Sequence, residues 1–184
     1  MITALAIVAA LALWVSYSGW RASSRLRRGA HQLGSAWEHV QRALSGREQA
    51  LREFLSTLSS LGLVPRGRQE LEKALLEIRK AQTAGPRALA EADDQLKIAL
   101  RAVYGGLPRS RPPALKQAQN RLAEAEDELD LARHRYNELV LDWNSLLVRW
   151  TYRWLASRLG FSRWEPYLLP GEEEEFARQR GPAF

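Results

Sequence analysis

Cysteine is absent from all 184 residues. That excludes a disulfide framework, a thiolate zinc site, a thiol nucleophile and a cysteine-held iron–sulfur cluster. Histidine is scarce, and His31, His39 and His134 are too few for a His-rich metal site. No Gly-x-Gly-x-x-Gly, Walker-type Gly-Lys-Ser/Thr or Gly-x-Ser-x-Gly motif occurs, so nothing marks a nucleotide cradle or a nucleophile elbow. Strand alternation and hairpin signals are missing as well. What remains is 46% apolar and 26% charged, the balance of a folded chain rather than a disordered one.

The net charge of +6 is unevenly placed. Arg21, Arg25, Arg27 and Arg28 stand in the first thirty residues with no acid among them. Arg149, Arg153, Arg158 and Arg163 stand between Asp142 and Glu165, again without an acid. These two clusters carry +8, and the rest of the chain nets −2. Basicity concentrated in this way points to two local anion-facing regions rather than to a generally basic surface.

Residues 1–20, MITALAIVAALALWVSYSGW, carry no ionisable side chain except Tyr17. As a helix they would extend about 30 Å, the thickness of a bilayer core. Trp14, Tyr17 and Trp20 fall where an interfacial aromatic belt would lie. A cleaved signal peptide is the competing reading, because Ala10-Leu11-Ala12 has the small-residue pattern. It lacks the basic n-region that a signal peptide carries. The expectation is an uncleaved transmembrane anchor. The Arg excess after it then predicts a single-pass membrane protein with its N-terminus out and its bundle on the cytoplasmic side.

Beyond this run the period is helical. Leu115, Leu122, Leu129, Tyr136, Trp143 and Trp150 recur every seven residues, and Ala118, Ala125, Ala132, Leu139 and Leu146 form the companion row. Such a seam predicts one helix over 114–159, about 70 Å long, packed on others at a shallow angle. Trp37, Leu44, Leu51 and Leu58 form a row in the first helix, beside Val40, Phe54 and Leu61, with Arg47 in an otherwise apolar position. Two shorter helices are expected at 68–82 and 86–104, set off by Gly62 to Gly67, Gly85-Pro86 and the linker from Gly105 to Pro113. The fold class is therefore all-α: an N-terminal transmembrane helix, then an elongated antiparallel four-helix bundle whose first and last helices are long. The expected domains are an anchor at 1–20, the bundle at 21–164 and an acidic, solvated C-terminal tail at 165–184.

Helix lengths bring the end of the last helix back beside the first Arg cluster. There Trp150, Trp154, Phe161 and Trp164 alternate with arginines. Arg21, Arg25, Arg27, Arg28, Arg149, Trp150, Arg153, Trp154, Arg158, Arg163 and Trp164 are the candidates for docking on a membrane surface, since arginine favours anionic headgroups and tryptophan the interface. The alternative is that Trp150 and Trp154 pack on the first helix. Single-stranded nucleic acid also takes basic and aromatic groups, but these aromatics sit on a helix and not on a sheet platform, so no nucleic acid is expected.

Leu131-Ala132-Arg133-x-x-Tyr136-Asn137-x-x-Val140-x-x-Trp143-Asn144 resembles the hallmark of LemA family proteins. Gly160-Phe161, the later Tyr167, Ala36-Trp37-x-x-Val40-x-x-x-Leu44-x-x-Arg47 and Leu100-x-x-Val103-x-x-x-x-Leu107 are similar to further parts of that family. The sequence departs from it at Trp143, where a tyrosine is usual. Arg52-Glu53-Phe54-Leu55 replaces an Ile-Pro-Asn-Leu stretch, and Ser18 replaces an asparagine. The resemblance implies a divergent, membrane-anchored helical bundle of the bacterial cell envelope, without an established enzymatic activity.

Other residues read as structural. Glu124, Glu126, Asp127, Glu128 and Asp130 lie off the seam and are expected on a solvated face, like Asp93 and Asp94. His134 and Glu138 make a surface pair. Arg47 needs a partner if it is buried, expected as an acid or an asparagine on the last helix; otherwise it snorkels outward. Trp37, Arg47, Tyr136, Asn137, Trp143 and Asn144 are the candidates for specifying the bundle. The expected function is a non-enzymatic scaffold or interaction protein without cofactor or metal, whose partners are membrane lipid and either another protein or further copies of itself. The alternative is a membrane-structural protein that self-associates and docks on anionic lipid through its Arg/Trp cluster.

Overall fold

The computed structural model describes the backbone of residues 2–179, and their side chains except at 2–12, 15, 151 and 179. The described residues form six helices and no strand: α1 (Ile2–Ser60), α2 (Arg68–Ala84), α3 (Pro86–Gly105), α4 (Pro113–Val148), α5 (Trp150–Leu159) and α6 (Glu173–Gln179). Residues 161–169 run without helix or strand between α5 and α6, with a turn at Pro170-Gly171.

α1 and α4 form the long pair. Trp37 stacks against Tyr136 at 5.1 Å, Arg121 reaches Glu53 at 3.0 Å, and Gly29 faces Trp143. The partner numbers rise on one helix as they fall on the other, so the pair is antiparallel. Most of the heptad positions are buried: Val40, Leu44, Leu51, Phe54 and Leu58 from α1, joined by Leu26 and Leu33, and Leu115, Leu122, Leu129, Tyr136 and Trp143 from α4; Leu61 lies past the end of α1 and is exposed. Burial of such rows is the main favourable term in the bundle. Gly29 has a packing reason to be glycine, because a Cβ there would stand 3.0 Å from the Trp143 ring.

α2 and α3 make a hairpin laid on the distal half of this pair. Pro86 at the first turn of α3 and the glycine before it set the reversal. Arg79 on α2 donates to Glu48 at 2.6 Å, and the Phe54 and Tyr104 rings meet edge-on at 5.7 Å. The turn at Gln82–Pro86 comes down beside Trp37 and Tyr136.

Three expectations are corrected here. Among the described residues no helix is long and apolar enough to cross a membrane. That overturns the single-pass membrane protein with its N-terminus out and its bundle on the cytoplasmic side. The apolar run falls mainly on positions 1–12 and 15, whose side chains lie outside the described residues. From Leu13 onward the helix carries Ser16, Ser18 and Gly19 and continues unbroken into Arg21–Arg28, so α1 is not divided at residue 20.

The long last helix is also broken. α4 ends at Val148, Arg149 is extended (φ −63°, ψ 127°), and α5 starts at Trp150. Straight continuation would carry residue 162 about 28 Å past Trp143. The Trp143 indole instead donates to the Ser162 carbonyl at 2.9 Å. The chain must turn back to make that bond, and Gly160 in the left-handed region (φ 75°) makes the second turn.

The solvated acidic tail is the third correction. Tyr167 is fully buried, Phe176 is nearly so, and Glu172 pairs with Arg133. The boundary at 164/165 therefore cuts through one docked segment.

Candidate functional site

The most specific polar geometry among the described residues joins α4 to the non-helical strap of residues 161–170. Asn137 donates its amide N–H to the Tyr167 carbonyl at 2.8 Å and accepts the Tyr167 backbone N–H at 2.8 Å. One heptad on, Asn144 donates to the Trp164 carbonyl at 2.9 Å and accepts the Trp164 N–H at 3.1 Å. Each asparagine thus satisfies both backbone polar groups of one residue, as a neighbouring strand would. The aromatic residue before each asparagine adds one bond to the same strap. The Tyr136 hydroxyl donates to the Glu165 carbonyl at 2.7 Å, and the Trp143 indole donates to Ser162. Burial pushes the Tyr136 hydroxyl above its ordinary pKa, and the nearby Glu165 charge adds to it, so it stays a donor.

Side chains close the strap over this ladder. Trp164 lies edge-on to Tyr136 at 6.5 Å, and Phe161 lies edge-on to Trp143 at 5.6 Å. At the far end Glu172 binds Arg133 and accepts the Leu169 N–H at 3.0 Å. Burial alone would raise the Glu172 pKa. The hydrogen bonds from Arg133 and Leu169, with the Arg133 charge, outweigh it and hold the carboxyl below its ordinary value. Tyr136, Asn137, Trp143 and Asn144, expected to specify the bundle, therefore act on one object, the main chain of residues 162–167. The Asn pairs were visible in the sequence; their partner was not.

Arg47 is buried and does not snorkel outward, and its main partner is not on the last helix. Its Nη1 donates to Asp93 on α3, and Nη2 faces Glu126 on α4 at 3.6 Å. Asp93 is 2% exposed, so its assignment to a solvated face is corrected, and Glu126 is half-buried. Lys97 adds a second charge 3.6 Å from Asp93. The α2–α3 hairpin is thereby keyed to α1 through a charge that would otherwise be stranded. Burial raises the Glu126 pKa, and Arg47 and Lys97 only partly oppose it. Trp37 is half-buried against Tyr136, at a groove of about 480 Å³ between the hairpin turn and the strap.

At the opposite end of the α1–α4 pair, the two Arg clusters meet as the helix lengths require. Arg21, Arg25 and Arg28 of α1 and Arg149 at the α4–α5 corner line one groove of about 700 Å³, with Ser145, Gln32 and a single acid, Asp142. Arg27, Arg153, Arg158 and Arg163 are exposed nearby in sequence. None of these eight arginines takes part in the ion pairs of the described residues, which involve Arg47, Arg52, Arg68, Arg79, Arg87, Arg121 and Arg133 with the lysines. Trp150 is 84% exposed and Trp154 64% exposed, so the packing of these rings on the first helix is excluded. Trp154 carries Arg158 over its face at 5.1 Å. Trp14, Tyr17 and Trp20 are exposed on α1 as well. Trp164 is the exception among the membrane-surface candidates. It is half-buried in the strap, and its place in that set is corrected.

His134 and Glu138 are both exposed, and no cluster able to hold a metal ion occurs among the described residues. Compared with known proteins, the chain matches no family model and no curated sequence.

Proposed function

We propose that this chain is a non-enzymatic helical-bundle interaction protein that docks on an anionic lipid surface through its arginine- and tryptophan-bearing end. One observation carries the reading: Arg21, Arg25, Arg28 and Arg149 line a single open groove, and Trp150, next to Arg149 in the chain, is exposed. Guanidiniums without an ion-pair partner, on α1 and at the α4–α5 corner, form a fork for phosphate oxygens. Exposed indoles beside them suit the headgroup region, where a ring has both an apolar and a wet side. Each arginine near an anionic surface contributes about 1 kcal/mol, so the cluster suffices for reversible association. The helical rod behind it then stands off the surface as a platform for a protein partner. The Tyr136-Asn137 and Trp143-Asn144 repeat supports placing the chain as a divergent member of the LemA family.

Co-sedimentation of the full chain with vesicles tests this. Binding to phosphatidylglycerol vesicles is expected to exceed binding to neutral phosphatidylcholine vesicles by at least about tenfold at low salt, and to weaken as salt rises. Arg25→Gln with Arg149→Gln should remove most of the difference, and Trp150→Ala with Trp154→Ala should weaken what remains. Equal binding to both lipids, or none to either, would remove the proposal.

A further inference from the structure

The break between α4 and α5 has no local cause. Val148, Arg149 and Trp150 include neither glycine nor proline, and arginine is a good helix former. The heptad row Leu115, Leu122, Leu129, Tyr136 and Trp143 continues in register to Trp150, yet Trp150 is the one member left in water. At the break the Arg149 N–H reaches only the Leu146 carbonyl, at 3.3 Å and three residues back. The N–H groups of Tyr152 and Arg153 share the Arg149 carbonyl. The sequence therefore favours one helix over 113–159, and the bend is held from outside by the strap seated on Asn137 and Asn144.

Those contacts do not require that the strap belong to the same molecule. Four of the six bonds that Tyr136, Asn137, Trp143 and Asn144 make are the paired asparagine bonds, and all six end on main-chain N–H or C=O groups. A second copy of this chain offers the identical segment. Exchange of identical elements between copies keeps every contact of the closed form and changes only the hinge. A one-residue hinge is the kind of short connection that favours exchange.

We propose that residues 150–179 are an exchangeable arm. In the exchanged dimer α4 and α5 straighten through Arg149 into one helix, and each copy lays its strap in the Asn137/Asn144 clamp of the other. Straightening restores the helical ladder at the hinge and returns Trp150 to the seam of a helical rod. The open arm on a lone chain leaves Tyr167, Phe176 and the clamp uncovered, so the open form exists as a dimer. The proposal is independent of lipid docking and holds in lipid-free solution.

The test is light scattering coupled to gel filtration on the full chain without lipid. The chain is held at about 1 mM and then diluted, with amide exchange measured on each resolved species. Trp150→Pro locks the bent form: proline suits the first position of α5, and the residue before it is already extended. Proline cannot sit within a continuous helix. Trp150→Ala removes the same ring while leaving the helix free to straighten. The expected result is a slowly exchanging dimer for the unaltered chain and for Trp150→Ala. Trp150→Pro should reduce it by at least about tenfold while remaining a folded monomer with protected Trp164 and Tyr167 amides. In the dimer the amides of residues 149–153 gain protection, and those of Trp164 and Tyr167 keep theirs. A chain that stays monomeric at all concentrations overturns the proposal. So does a dimer that Trp150→Pro leaves intact, or one that Trp150→Ala abolishes, because the contact would then be made by the indole itself.

Discussion

Around the distal half of the α1–α4 pair the third layer is a helical hairpin; around the rest it is the non-helical chain of residues 161–170. The hairpin is held by side chains: apolar rows, the Arg47–Asp93 pair and the Arg79–Glu48 bond. The strap is held mainly through its backbone, by Asn137, Asn144, Tyr136 and Trp143. The two layers meet at the groove bordered by Trp37, Tyr136 and the turn at Gln82–Pro86. A helix satisfies its own main chain and presents only side chains for packing. An extended segment brings unpaired N–H and C=O groups that must be met when buried. Two asparagines one heptad apart meet them at two residues, Trp164 and Tyr167, which is why polar residues border an otherwise apolar seam.

Breaking each layer at its key residue should give different patterns of loss. Arg47→Ala leaves the Asp93 carboxylate buried without its main partner. It should cost about 3–5 kcal/mol by denaturant unfolding, whereas exposed Arg42→Ala should cost under about 0.5 kcal/mol. Equal effects would show that the buried pair keys nothing.

Asn137→Ala strands the N–H and C=O of Tyr167 and should cost about 2–4 kcal/mol. The loss should be regional: amide exchange should quicken in α5, the strap and α6 while α2 and α3 stay protected. Arg47→Ala should instead quicken exchange in the hairpin. If both variants loosen the same residues, the two layers are not separable.

Acid separates the layers by sign. Glu172 has a depressed pKa in the folded chain, so its contribution is complete above the ordinary carboxylate value of 4.5 and is lost as pH falls through the folded value. Glu126 has a raised pKa, so its contribution is complete below 4.5 and is lost as pH rises through the folded value. Lowering the pH from 7 to about 5 should therefore slightly firm the hairpin side, and the strap should loosen first below about 4.5. Glu172→Gln should flatten the strap's acid response at a cost of about 1 kcal/mol. Strap amides that show the same acid response in this variant would assign it to another group.

The smallest effect concerns glycines. Gly46 in α1 has nothing within 4 Å of a built Cβ, and Gly46→Ala should stabilise the chain by about 0.5–1 kcal/mol. Gly29→Ala gains the same helix propensity but presses on the buried Trp143 ring, and should be neutral or destabilising. Thermal melts of the two variants that moved alike would refute the close α1–α4 approach at Trp143.

The helices were legible because burial imposes a period. Most of the heptad rows of α1 and α4, the ends of α2 and α3 within one or two residues, and the seam position of Arg47 follow from spacing and composition. The meeting of the two Arg clusters was legible too, since it needs only helix lengths. The strap was not. Backbone recognition leaves no periodic mark on the recognised segment, and the Pro166, Pro170 and four-glutamate run read as a solvated tail. The helix break at Arg149 follows from the strap and has no residue of its own to announce it. The burial of Asp93 is hidden for a related reason: in sequence, one carboxylate beside another reads as solvated, and the arginine that faces it comes from another helix.

Amide hydrogen exchange at Trp164 and Tyr167 in the full-length chain tests the clamp most directly. Both N–H groups donate to asparagine side chains, and neither belongs to a helix or strand. The account predicts protection of both amides approaching that of the α4 core, lost together with the neighbouring strap amides when Asn137 or Asn144 is replaced by alanine. Exchange of both at the rate of unstructured peptide, beside a protected α4, would contradict it.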